Sequence, residues 1–265
     1  MPPEDDGFEL LTGGTANRGR IRRRGSEVWR PRLPGATARH ALLRHLEQAG
    51  FEGAPRVRDL GENTEVLTYL PGEVPDPAVA PGQELAPWAA SDDALASVGR
   101  LLRQLHDATV DFDTTAWNWP QRLPARHRTG RDLVVTHNDP HPGNVVFRQG
   151  RAVGLIDFDL AEPGTRAWDL ASAACFWVPM LDPVDVADPR SGRFVERFEV
   201  LYDGYGADDL LREQVRATAL DAHDWIYRVI REGAEAGHPG FVRSWRTRRD
   251  TAERGRAWIR RTYAA

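Results

Sequence analysis

The chain has no lysine: all 35 of its basic residues are arginine. The absence is chain-wide, as GC-rich coding produces, and it excludes any mechanism that needs an ammonium point charge. Arginine supplies a planar, permanently charged fork in its place. Cysteine is almost absent as well. Cys175 is the only one, so no intrachain disulfide can form, and its neighbours Ala173, Ala174, Phe176 and Trp177 mark it as a small buried hydrophobe. No apolar run is long enough to span a bilayer. The opening segment Met1-Pro2-Pro3-Glu4-Asp5-Asp6 is acidic and lacks a signal-peptide core, so a cytoplasmic protein is expected. Positive charge is not in excess either. A net charge of −4 gives no basis for a nucleic-acid or membrane partner and mildly favours a cationic small molecule. The sequence sets no oligomeric state.

What is present suffices for two subdomains around a shared cleft, since the chain has 265 residues. Phe8 to Arg32 reads as short strands and tight turns, with a turn at Arg24-Gly25 and a strand at Glu27-Val28-Trp29-Arg30. A helix is expected from Ala36 to Ala49, with Leu42, Leu43 and Leu46 on its apolar face and Gly50 placed as a C-cap. Two more strands are expected at Pro55 to Leu60 and Glu65 to Leu70. Residues 1–72 therefore read as a small antiparallel sheet with one helix. Pro71-Gly72-Glu73-Val74-Pro75 breaks the pattern and marks a boundary, with residues 73–265 as a larger, mainly helical unit. Its first helix runs from Ser91 to Asp107, with Ser91 as N-cap. A strand at Leu133 to Val135 and a hairpin turning at Gln149-Gly150 follow. From Trp168 onward the pattern is helical, broken near Pro179 to Pro189 and at Gly204 and Gly206.

The chemistry sits in His137-Asn138-Asp139-Pro140-His141-Pro142-Gly143-Asn144 and, thirteen residues later, Ile156-Asp157-Phe158-Asp159. Pro140 and Pro142 stiffen the loop and Gly143 lets it turn. Asp139 can accept a hydrogen bond from an attacking hydroxyl. Asn144 offers a neutral oxygen to a hard cation, and Asp157, at the end of an apolar strand, offers a charged one. Carboxylate, amide and carboxylate at this spacing suit phosphoryl transfer, which depends on positioning and charge neutralisation. His137, Asp139 and His141 also alternate, which leaves open a transition-metal site and a hydrolase, although the two prolines make an extended ligand strand awkward.

The stretch from Val135 to Ala171 resembles the aminoglycoside phosphotransferase family of the protein-kinase-like superfamily. The family loop reads His-Gly-Asp-x-His-x-x-Asn, and here Asn138 stands where glycine is usual. Leu155-Ile156-Asp157-Phe158-Asp159 resembles the family's metal-binding segment, and Trp168-Asp169-Leu170-Ala171 a later Asp-Leu-Ala element. The resemblance implies an α+β, bilobal fold, with a small antiparallel N-lobe bearing one helix and a larger helical C-lobe. It implies Asp139 as catalytic base, Asn144 and Asp157 as ligands of Mg2+, and ATP or GTP as phosphate donor. His137 and Asp169 would be structural, Asp169 by hydrogen-bonding the catalytic-loop backbone. Gly13, Gly14 and Thr15 would cover the phosphates, and Tyr69 and Leu70 would lie in the adenine-binding hinge.

The family's lysine–glutamate phosphate anchor has no counterpart. Arg30, or Arg32, stands in for the lysine, and His40 occupies the helix position of the glutamate. For the acceptor, Asp182, Asp185, Asp188, Asp221 and Asp224 are candidates for holding a polycation such as an aminoglycoside. Trp177 and Trp225 are candidates for a choline-type amino alcohol. The expected function is an ATP-dependent O-phosphotransferase acting on a small hydroxyl acceptor. The alternatives are a non-catalytic nucleotide- or ligand-binding protein of the same fold and a choline-type amino alcohol kinase.

Overall fold

The computed structural model describes residues 7–11, 20–33, 35–75, 84–130 and 133–263. The N-terminal part is a five-stranded antiparallel sheet. It comprises β1 (Glu9–Leu10), β2 (Arg22–Arg24), β3 (Glu27–Pro31), β4 (Val57–Leu60) and β5 (Thr64–Thr68), in the order β1-β2-β3-β5-β4. The β2–β3 hairpin pairs Arg24 with Glu27, so its turn lies at Gly25-Ser26, one residue later than expected. Helix α1 (Ala36–Gln48) follows β3 and buries Leu42, Leu43 and Leu46 as its periodicity requires. Gly50 closes it at φ +73, and Phe51 N–H returns to Leu46 O at 2.9 Å, a left-handed cap that glycine adopts without strain. β3 and β5 run side by side with Arg30 opposite Glu65. That register puts a cation and an anion in direct cross-strand contact on one face.

Residues 69–75 lead into the second part. Glu73 pairs with Phe147 through two backbone hydrogen bonds of 2.8 and 2.7 Å, which pins the connection to the far hairpin. There follow α2 (Asp92–Ala108), β6 (Val134–Thr136), β7 (Val145–Arg148), β8 (Arg151–Leu155), β9 (Glu162–Gly164), α3 (Arg166–Trp177), α4 (Phe194–Tyr205), α5 (Asp209–Glu235) and α6 (Pro239–Tyr263). Ser91 caps α2 by accepting from Ala94 N–H at 3.1 Å. The β7–β8 hairpin turns at Gln149-Gly150, both at positive φ (50° and 73°), the geometry of a tight two-residue hairpin loop. Strand β9, not foreseen from the sequence, pairs antiparallel with β6 and closes the loop segment from the side.

Helix α3 is buried along nearly its whole length, with Trp168 and Trp177 at 0% exposure. The expected break at Gly204 does not occur. Gly204 lies inside α4, facing Gly99 of α2 across a close crossing, and a Cβ on Gly99 would lie 2.7 Å from Leu201 O. The helix ends instead at Gly206 (φ +76). The long helix α5 packs on one side against α3 and on the other against α6. No described helix is long and apolar enough to cross a membrane.

Candidate active site

Strand β6 delivers the 137–144 loop, and the β7–β8 hairpin carries the chain back to Asp157. Ile156 N–H donates to Asn144 O at 2.9 Å, so the two segments are joined backbone to backbone. Asn144 Nδ2 donates to Asp139 O at 3.0 Å and to Asp139 Oδ2 at 3.1 Å. His137 is fully buried, with Nε2 donating to Ile156 O at 3.0 Å and Nδ1 accepting from Asp139 N–H at 3.3 Å. Burial lowers the His137 pKa, so the ring is a neutral brace between the two segments. Asn144 and Asp139 thus meet directly, and the segment that carries Asp157 is joined to them through Ile156 and His137. His141 does not join His137 around a common centre: its Nδ1 accepts from Gly143 N–H at 2.9 Å. Among the described residues no group of three or more His, Cys, Asp or Glu could hold a metal ion, so the transition-metal reading has no geometric support.

Asn138 explains the departure from glycine. Its φ is +69°, a left-handed conformation that glycine takes freely and asparagine tolerates better than most residues. The side chain is then put to use. Nδ2 donates to Leu160 O at 2.7 Å, and Oδ1 accepts from Trp168 Nε1 at 2.9 Å. Asp157 is also left-handed, at φ +64°, and a non-glycine residue held there costs about 1–2 kcal/mol. Such strain persists only where the surroundings enforce it.

Asp169, at the start of α3, accepts from His137 N–H at 2.9 Å and Asn138 N–H at 2.8 Å. Its third donor is His106 Nε2 at 3.0 Å, and His106 Nδ1 lies 2.8 Å from the Tyr205 hydroxyl. Burial would raise the Asp169 pKa, but these donors hold it below the usual carboxylate value. His106 is therefore the inner support of the loop. Only its position on the apolar face of an amphipathic helix hinted at this.

The arginine anchor differs from expectation. Arg30 is buried and does not pair with His40. Its Nε binds Glu65, its Nη1 lies 3.2 Å from Asp157 Oδ1, and its Nη2 binds Asp159. Arg39 of α1 joins the cluster, with Nη2 at 2.8 and 2.9 Å from the two Glu65 oxygens and Nη1 at 2.8 Å from Asp159. His40 Nε2 closes on the other face of Glu65. The carboxylate that orients the basic residue thus comes from β5 rather than from the helix. Burial would push Glu65 up, but His40, Arg30 and Arg39 bring it down to about 2. Burial and the adjacent Asp157 push Asp159 up, against Arg30 and Arg39. Glu65, Arg39 and Asp159 were missed as partners because only the β3–β5 register and the fold of 157–159 bring them together.

Asp139 itself is pushed up to about 7, chiefly by burial, with His137, Asn144 and the guanidinium of Arg248 pulling it down. Arg248 comes from α6, more than a hundred residues away. The amide nitrogen of Asn144 is taken by Asp139, which leaves Asn144 Oδ1 without a partner among the described residues; Asp157 Oδ2 is likewise free. Two unpartnered hard oxygen atoms, on segments joined by the Ile156–Asn144 backbone hydrogen bond, fit Mg2+, which needs one or two protein oxygens beside those of a bound triphosphate. Gly13, Gly14 and Thr15 lie outside the described residues. Tyr69 N–H is used by Ser26 O at 2.8 Å, and Arg23 stacks 3.8 Å over the Tyr69 ring. Leu70 lies against Gly154 of β8.

The acceptor candidates are corrected by their partners. Asp182 faces Arg261 at 3.4 Å, Asp185 binds Arg254 at 2.9 Å and Asp188 binds Arg190 at 2.7 Å. Asp221 binds Arg126 at 2.7 Å and His127 at 3.0 Å, and Asp224 binds Arg256 at 2.9 Å. Each carboxylate already has an arginine, so together they form no open anionic face. Trp225 and Trp177 are core residues at 3% and 0% exposure, their indole N–H groups bound to Arg122 O and Pro140 O. Neither presents a ring face to a ligand.

A model of the phosphotransferase enzyme family matches residues 11–213, and the chain belongs to that family. It is 34% identical over 260 residues to the trifolitoxin immunity protein of Rhizobium leguminosarum bv. trifolii, covering 90% of this chain and 91% of that one. Among solved structures it resembles an ethanolamine kinase of Plasmodium vivax (TM-score 0.65, 13% identity, 92% of this chain and 81% of the other). It also resembles a putative aminoglycoside phosphotransferase of Ralstonia eutropha JMP134 (TM-score 0.63, 14% identity, 96% and 92%). At such identities these structures establish the α+β, protein-kinase-like fold.

Proposed function

We propose that this protein is an ATP- or GTP-dependent O-phosphotransferase acting on the hydroxyl of a small molecule. One observation carries the reading: the Asn144 amide is locked onto Asp139 with its oxygen left free, and Asp157 directly follows Ile156, whose N–H donates to Asn144 O. Asp139 orients the acceptor hydroxyl and receives its proton; a pKa near 7 suits that task. Asn144 and Asp157 would hold Mg2+, which neutralises charge on the transferring phosphoryl group. His137 and Asp169 keep the loop in place from beneath. Arg30, oriented by Glu65, anchors the phosphate tail, with residues 1–72 as nucleotide-binding lobe and 73–265 as acceptor-binding lobe. Gly13, Gly14 and Thr15 cover the phosphates, and Tyr69 and Leu70 border the base. A cytoplasmic location accords with such a donor.

The test is phosphate transfer from ATP and GTP with Mg2+ to a panel of hydroxyl compounds, read by product mass. Asp139→Ala should abolish product while nucleotide binding persists. Product formation that survives this change refutes the assignment. A second reading, a nucleotide-binding protein without catalysis, is favoured by Arg30 lying across both Asp157 and Asp159. It requires that nucleotide bind with no turnover on any acceptor.

A further inference from the structure

Between α3, α5 and α6 lies a cavity of about 40 Å3, space for about three waters. Asp139 does not line it but stands behind its Phe176 wall, since that ring packs on His141 at 5.8 Å between centroids and His141 Nε2 lies 3.7 Å from Asp139 Oδ2. Its walls include Phe176 and Met180, and three charged side chains reach it: Asp185, Arg190 and Arg248. Two of these are neutralised. Asp185 is held by Arg254, and Arg190 by Asp188 and by Phe176 O at 2.9 Å. Arg248 has no hydrogen bond or ion pair among the described residues, although the carboxylate of Asp139 lies within its electrostatic reach. A second group is also unsatisfied. His223 is 2% exposed and lines the cavity, and its Nε2 has no partner. The Tyr227 hydroxyl completes the polar set.

A partly buried, unpaired guanidinium is costly to desolvate, an anion of matching shape recovers that cost, and a carboxylate matches the guanidinium fork bidentately. Buried polar atoms without partners in a polar cavity likewise point to a ligand that supplies them. The size of the space excludes a multi-ring polycation. Its one uncompensated charge is positive, which opposes a cationic acceptor.

Resting on the phosphotransferase reading, we infer that this cavity is the acceptor site and takes a short hydroxy acid or hydroxy amino acid, its carboxylate on Arg248 and its hydroxyl at Asp139. The acceptor oxygen forms the new bond to phosphorus, the bond to the leaving nucleoside diphosphate breaks, and the hydroxyl proton passes to Asp139. Arg248 then has two effects: it fixes the orientation of the acceptor, and it screens the acceptor carboxylate from the neighbouring carboxylate of Asp139.

The experiment uses the full chain and matched pairs: L-homoserine against 3-amino-1-propanol, and glycerate against glycerol, with an aminoglycoside alongside. Nucleotide binding is measured first, without acceptor. Its absence overturns the phosphotransferase reading, whatever the acceptor site prefers. Acceptor binding is then titrated calorimetrically in the presence of a non-hydrolysable ATP analogue and Mg2+. The carboxylate member of at least one pair should bind tenfold or more tightly than its counterpart. Arg248→Gln should erase that preference and Arg248→Lys retain part of it, with thermal melting confirming that both variants fold. A preference that survives Arg248→Gln overturns the inference. So does equal or tighter binding of the uncharged members or the aminoglycoside, or the failure of both carboxylates to bind.

Discussion

Glu65 is the carboxylate that ties the buried N-lobe cations together. It is fully buried and serves Arg30, Arg39 and His40 at once. Its pKa falls from 4.5 to about 2. At about 1.36 kcal/mol per pH unit this corresponds to about 3 kcal/mol of native-state stability. Because the folded-state pKa lies below the unfolded one, that stability is complete above pH 4.5 and is lost as the pH falls toward 2. By pH 3.5 about 1.4 kcal/mol of it is gone. Glu65→Gln preserves the shape and removes the charge, leaving two buried guanidiniums to share Asp157 and Asp159. Urea unfolding at pH 7 should show the variant less stable by about 3 kcal/mol. Repeated at pH 3.5, the difference should shrink by about 1.4 kcal/mol. The variant should also bind nucleotide about tenfold more weakly, since Arg30 loses its cross-strand support, a change of about 1.4 kcal/mol. A difference under about 0.5 kcal/mol at pH 7, or one that does not narrow on acidification, would refute the reasoning.

Asn138→Gly relieves the left-handed strain but strands the Trp168 indole N–H and the Leu160 carbonyl, so it should destabilise by about 1–3 kcal/mol. Asn138→Ala loses the same bonds and keeps the strain, and chemical denaturation should rank it about 1 kcal/mol lower still. His106→Phe removes the side-chain donor to Asp169; it should lower the melting temperature, cost about 2–4 kcal/mol and reduce turnover by loosening the loop. Activity unchanged in His106→Phe would show that the loop does not depend on this support. Asp139→Asn should lower turnover by about 10²–10⁴, measured by product formation under saturating nucleotide.

Much was legible in the primary structure because it is local. The 137–144 loop, the Gln149-Gly150 turn, the Ser91 cap and the apolar face of α1 depend on residues a few positions apart, and steric and hydrogen-bonding rules act at that range. The α+β division, a sheet with one helix followed by helices, follows from the same hydrophobic periods. What the sequence could not determine were pairings set by register and packing. The β3–β5 alignment alone makes Glu65 the partner of Arg30. The fold of α2 against α3 alone joins His106 to Asp169, and α6 alone brings Arg248 beside Asp139. The acidic residues of the C-lobe looked like an open anionic face because charge is visible in a sequence and its compensation is not. Which arginine reaches which carboxylate is decided across 69 or 95 residues of intervening chain, by helix packing that no local pattern encodes.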